Sequence, residues 1–242
     1  MLRRTALLSL ASLLTLSACS SDEEADQETT LAPIATTDSE AVEPVDYECT
    51  DPLAGSPETV DVYDLLVCTT QSLADTEGYI TTSTVGETET TTLRVDTEPL
   101  TVEVTYPDSS VIVANATDAW VDAGDGEWVR ADITSSDYLI AQASQVYETY
   151  RNSHDPMYTT AGIPEGMTYD VEGTEVIDGV EYHVLTSQFV DGESTSDLRM
   201  WVGPDYEQYR VLMTMKSPDA DTLHVDSIYS EWDTPQEIVL PE

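Results

Sequence analysis

The chain has 242 residues, with 48 acidic side chains against 8 basic ones and a formal net charge of −40. A field of that sign repels phosphate backbones and anionic leaflets, which excludes nucleic-acid binding and docking on lipid headgroups through the protein surface. The self-repulsion also points to a saline habitat, since at molar salt the screening length falls to about 3 Å; equal thermal stability in low and multimolar salt would contradict that expectation.

In chain order, Met1–Arg4 form a short basic start and Ala6–Leu16 an apolar run. The run is shorter than the ~20 residues that cross a bilayer as a helix, so it reads as a secretory signal covering residues 1–18. Leu16-Ser17-Ala18-Cys19 resembles the lipobox of bacterial lipoproteins. That resemblance implies a diacylated Cys19 at the mature N-terminus and a domain on the extracytoplasmic face of the cell membrane. An ordinary signal peptide with a cysteine near its cut site is the plainer alternative. Residues 19–55 are rich in Ser, Thr, Asp, Glu, Ala and Pro without apolar periodicity, and are expected to form a disordered tether reaching about 30 Å. Apart from Cys19, only Cys49 and Cys68 remain. In an exported chain they read as disulfide-competent, with two buried free thiols as the alternative.

Order is expected over residues 56–242. Ser56-Pro57-Glu58 has the form of a helix start, and Val60, Tyr63, Leu66, Val67, Thr70, Leu73 and Ala74 keep helical spacing, which predicts a helix over 57–75. From Gly78 the period becomes two. Strands are expected at Tyr79–Val85, Thr91–Thr97, Leu100–Tyr106, Val111–Ala114, Ala119–Asp122 and Glu127–Arg130, the last two flanking Asp125-Gly126. A second helix fits 136–150, followed by a Pro/Gly-rich loop over 151–166 that could serve as a lid. Strands resume at Met167–Val176, Val180–Phe189, Asp197–Val202, Gln208–Lys216 and Thr222–Trp232.

The order helix, meander, helix, meander predicts an α+β fold: a strongly curved antiparallel sheet of about 11 strands, a half-barrel, cupping two main helices. Two helices cover only part of such a sheet, so a stretch of its apolar face is core or a ligand cavity. Val102, Val104, Tyr209, Val211, Met213 and Met215 are the candidate cavity residues, with methionine suited to an adaptable lining. Plain core is the bland reading of the same residues. His154, His183 and His224 are isolated and match no zinc spacing, so no metal and no cofactor are expected. Asp122, Asp125 and Glu127 miss the spacing of a calcium loop. No nucleophile–base constellation is visible, and no enzymatic activity is expected.

The hairpin WVDAGDGEWVRAD leading into a helix, and the strings VEGTEVIDGVEYHVLT, LRMWVGPDYEQYRVLMTM and DSIYSEWDTPQEIVLPE, resemble the LppX/LprG-type lipoproteins of mycobacteria and related actinobacteria. Those proteins in turn resemble the LolA/LolB-like carriers. The resemblance covers roughly residues 57–242 and rests on the order of the strings as much as on their identity. It implies a half-barrel with an apolar cavity for a glycolipid, a phospholipid or another acylated ligand, held by a monomer tethered to the membrane through Cys19. The alternative is an interaction, sensor or envelope-assembly protein with a filled core and no lipid cargo.

Overall fold

The structure, a computed structural model, describes residues 47–218 and 220–241. The expected signal, Cys19 and most of the expected tether lie outside the described residues. Two antiparallel meanders make up most of the rest. The first contains β2 (Gly78–Val85), β3 (Glu89–Thr97), β4 (Leu100–Thr105), β5 (Val111–Asn115), β6 (Ala119–Asp122) and β7 (Trp128–Arg130). The second contains β8 (Thr168–Ile177), β9 (Val180–Asp191), β10 (Ser194–Val202), β11 (Gln208–Ser217) and β12 (Ala220–Ser230). β12 pairs with β2 through Val225–Val85, Ser227–Ser83 and Tyr229–Thr81, which fuses the meanders into one sheet. With β1 (Thr59–Asp61) beside β8 the sheet has 12 strands, open at β1 and β7. Register shifts in β8, between β10 and β11, and between β11 and β12 bend the second meander.

The first helix starts later than its periodicity predicts. α1 runs Val62–Asp75, and Asp61 rather than Ser56 caps it, accepting from Tyr63 N at 2.8 Å. The preceding Thr59-Val60-Asp61 is drawn into the sheet because β8 offers backbone partners and Val60 gains burial, at a site where β-branched residues favour extended backbone. α2 runs Tyr138–Ser153 with Asp137 as its cap, and α3 (Pro156–Thr159) forms a single turn inside the expected loop. Asp155 caps that turn and Pro156 opens it, so the Pro/Gly-rich stretch holds helix-start chemistry of its own.

Order also begins earlier than residue 56. Cys49 and Cys68 are joined by a disulfide. Cys49 N donates to Gln71 Oε1 at 3.0 Å, and Gln71 Nε2 donates to Tyr47 O. Leu53 is buried, its N–H donates to Tyr206 Oη at 3.2 Å, and that hydroxyl donates to Asp51 at 2.6 Å. Composition alone reads this segment as tether; the covalent bridge and one buried leucine fasten it to α1 and to the turn after β10.

Residues directly opposite across a strand pair share a face. Val211–Ser227–Ser83–Thr91 and Met213–Val225–Val85 therefore define one continuous inner face across both meanders. Both long helices pack on it, over separate cores. α1 places Leu65 and Leu66 with Tyr169, Leu185, Leu198 and Met200 of the second meander. α2 places Ala143 and Val146 with Val102, Val104, Ile112 and Val121 of the first.

Every lysine and arginine among the described residues carries an acidic partner. The pairs are Arg94–Glu103, Arg130–Asp118, Arg151–Glu148, Arg199–Glu172, Arg210–Asp226 and Lys216–Asp197. The remaining carboxylates form a surplus that the chain's own cations do not neutralise.

Candidate functional site: the inner face of the sheet

Alternation places Val211, Met213 and Met215 of β11 on the inner face, where each is half-buried. Val211 and Met213 pack at the margin of the α1 core together with Phe189, Ile163 and Met167. Leu223 lies opposite Met215 on β12 and is likewise half-buried. Ser196 of β10, opposite both Phe189 and Met215, is too small to cover either. The result is a strip of apolar side chains across β9–β12 that α1 covers only along one side.

The other sequence-derived candidates sit elsewhere. Val102 and Val104 are 0% and 5% exposed, enclosed in the second core beneath α2. Tyr209 falls where the β10–β11 register shifts, since Trp201 pairs with Arg210 and Val202 with Gln208. The shift takes Tyr209 out of the ladder, and its ring stands 5.0 Å from that of Tyr182. The six candidates thus do not line one wall. Val211, Met213 and Met215 form a group, and β12, β2 and β3 separate them from β4.

Between the two cores the inner face is polar. Ser83 and Ser227 exchange a hydroxyl hydrogen bond at 2.8 Å, and both are buried. Thr81 is buried beside them with a hydroxyl that has no partner. Further along β2, Tyr79 stacks on Trp232 with ring centroids 5.7 Å apart and meets Tyr229 and His154 at 6.0 Å each. Burial raises the Tyr79 hydroxyl well above its ordinary range and pushes Tyr229 up to about 12. Sequence inspection did not find this aromatic group, because its members are scattered over three distant segments.

His154 follows α2 as its C-cap and links that corner to the sheet. Its Nδ1 lies 2.6 Å from Tyr150 O, so that nitrogen carries the proton and donates. Nε2, the acceptor, receives the Tyr79 hydroxyl at 3.4 Å. The same histidine borders an open cleft of about 450 Å³ walled by Ala74, Leu100, Met157, Tyr158 and Arg151. A second depression of about 410 Å³ lies on the opposite face, lined by Asp170, Gln188, Asp197, Arg199 and Thr214.

Burial holds the His154 imidazole below its ordinary value of 6.5. The unfolded chain therefore binds the proton first as pH falls, and the stability tied to neutral His154 is present above about pH 6.5 and lost below it, down to the depressed folded value. Thermal melts of the native chain and His154→Gln should differ in slope across this window and run parallel above it.

The acidic hairpin before β7 serves itself. Asp122 Oδ1 accepts from Gly124, Asp125 and Gly126 N–H groups at 2.8–3.0 Å, which holds its carboxyl below the usual range. Among the described residues no group of three or more His, Cys, Asp or Glu side chains is placed to hold a metal ion. No described helix is long and apolar enough to cross a membrane.

No family model matches this chain, and no curated protein does. Among solved structures, the crystal structure of a LolA superfamily protein from Nitrosomonas europaea is similar to it at 11% identity, over 72% of this chain and 93% of that one, with a TM-score of 0.25.

Proposed function

We propose that the domain is a non-enzymatic binding protein for an acyl chain, held near the outer surface of the cell membrane by a lipid on Cys19. One observation carries this reading: every residue of β11 from Gln208 to Met215 is only half-buried, although the strand lies deep within the sheet. An apolar strip of Val211, Met213, Met215, Phe189 and Leu223 is left partly wet, and a methylene chain laid along it gains about 0.8 kcal/mol per buried CH₂. Methionines let the strip fit chains of different shape. The loop bearing Ile163 and Met167 borders it and supplies the cover. The string resemblance to LppX/LprG-type lipoproteins supports the same class of ligand.

Replacing Met213 and Met215 together by serine should weaken binding of a fluorescent fatty-acyl probe about tenfold, the equivalent of roughly two buried methylenes. Leu212→Ser, on the opposite face of the same strand, should leave binding unchanged. Equal affinities in all three proteins would rule the strip out. Cys19→Ala should move the protein from the membrane fraction to the soluble fraction; complete retention on the membrane would contradict the anchor.

The sealing of Val102 and Val104 favours a second reading for the α2 half, that of an interaction module with a filled core and no cargo. Lipid content of the purified protein separates the two.

A further inference from the structure

The two open edges of the sheet differ. β1 buries Val60 against the α1 core. β7 is exposed at all three residues and pairs only with β6. Ala131 N donates to Ala119 O at 2.8 Å, so Val129 and Ala131 turn their backbone groups toward β6. By alternation, the N–H and C=O of Trp128 and Arg130 face away from the sheet. Apolar side chains crowd the same stretch: Trp128 is 40% exposed, Val129 48%, Ile133 63% and Tyr138 57%. Free backbone groups beside exposed apolar side chains make an edge that accepts another strand.

Charge selects what that strand is. Between residues 118 and 138 the chain carries Asp118, Asp122, Asp125, Glu127, Asp132 and Asp137 against Arg130 alone, and Arg130 is paired with Asp118. A second copy of the chain would bring the same carboxylates into contact with those already flanking this edge. We infer that β7 is a docking edge for an extended segment of a partner protein that alternates lysine or arginine with apolar residues. Its backbone would pair with Trp128 and Arg130, its apolar side chains would meet Trp128, Ile133 and Tyr138, and its cations would sit among the flanking carboxylates. Ion pairs at contact distance are screened less than long-range attraction, so the preference persists at raised salt. This inference is independent of lipid cargo.

The test titrates the full mature chain with an end-capped octapeptide alternating lysine and valine at 0.15 M salt. Saturable 1:1 binding is expected, weaker by about tenfold in the Trp128→Ser/Ile133→Ser variant, as for loss of an aromatic anchor. Both positions are exposed, and an unchanged thermal melt would verify that this variant folds. N-methylation of the peptide at alternate residues, made in both phases, should abolish binding in one phase and spare it in the other. Oligolysine of equal charge binding as tightly, both N-methyl phases binding equally, or an unchanged affinity of the double variant would overturn the inference. So would dimerisation of the chain through β7 in sedimentation.

Discussion

Alanine at position 78 should destabilise the domain by about 3 kcal/mol, the upper end of the usual overpacking penalty. Gly78 opens β2, and an added Cβ would stand 2.7 Å from both Thr234 O and Val95 O. Neither oxygen can move alone. Val95 belongs to the neighbouring β3, while Thr234 lies in the C-terminal segment, whose Thr234 N donates to Gly78 O at 3.3 Å. That segment is fastened by Asp233 N to Thr76 Oγ1 at 2.9 Å and by Arg94 Nη2 to Glu237 O at 3.4 Å. The methyl must therefore either pry the segment off or part β2 from β3. Urea unfolding reads the loss directly, and a midpoint equal to that of the native chain would show that the segment is not held here.

Loss of the Cys49–Cys68 bridge should cost a similar amount, about 3 kcal/mol for the loop it closes. The sequence separation is 19 residues, and the bridge ties the entering segment to the middle of α1. Two effects are expected in the Cys49→Ser/Cys68→Ser chain: a lower melting temperature and faster proteolysis between residues 47 and 55. The second follows because only the Gln71 hydrogen bonds to residues 47 and 49, buried Leu53 and the Asp51–Tyr206 contact then hold that segment, with no covalent tie to α1. Reducing agent should bring the native chain to the level of the variant. A native chain whose melt is indifferent to reductant would show that the bridge does not contribute.

Local chemistry made much of this fold readable. Asp178-Gly179 predicts the β8–β9 hairpin, and both residues have the positive φ that such a two-residue turn requires, 52° and 88°. Alternation located the strands of both meanders to within a few residues. Three features escaped for physical reasons. β1 is too short for its period to register, and only its partner β8 makes it a strand. The β12–β2 pairing joins segments more than a hundred residues apart, and no turn chemistry announces it. Tyr209 continues the alternation of β11 in sequence, yet the β10–β11 register shift removes it from the row it seemed to lead.

The candidate site was legible in the same measure. Met213 and Met215 lie on the half-covered inner face, whereas Val102 and Val104, equally regular in sequence, are sealed by α2. Periodicity names a face but not what covers it. The Tyr79–Tyr229–Trp232–His154 group depends on contacts between distant segments and leaves no local pattern.

The acyl-binding claim meets its most direct test in the lipid content of the Cys19→Ala chain, which lacks the anchor's own acyl groups. Organic extraction and mass spectrometry of that protein, purified without detergent from the soluble fraction of its native cells, should return acyl lipid in near-stoichiometric amount, and the extracted protein should take up acyl chains again. Extraction that yields no bound lipid, followed by no uptake, would contradict the account.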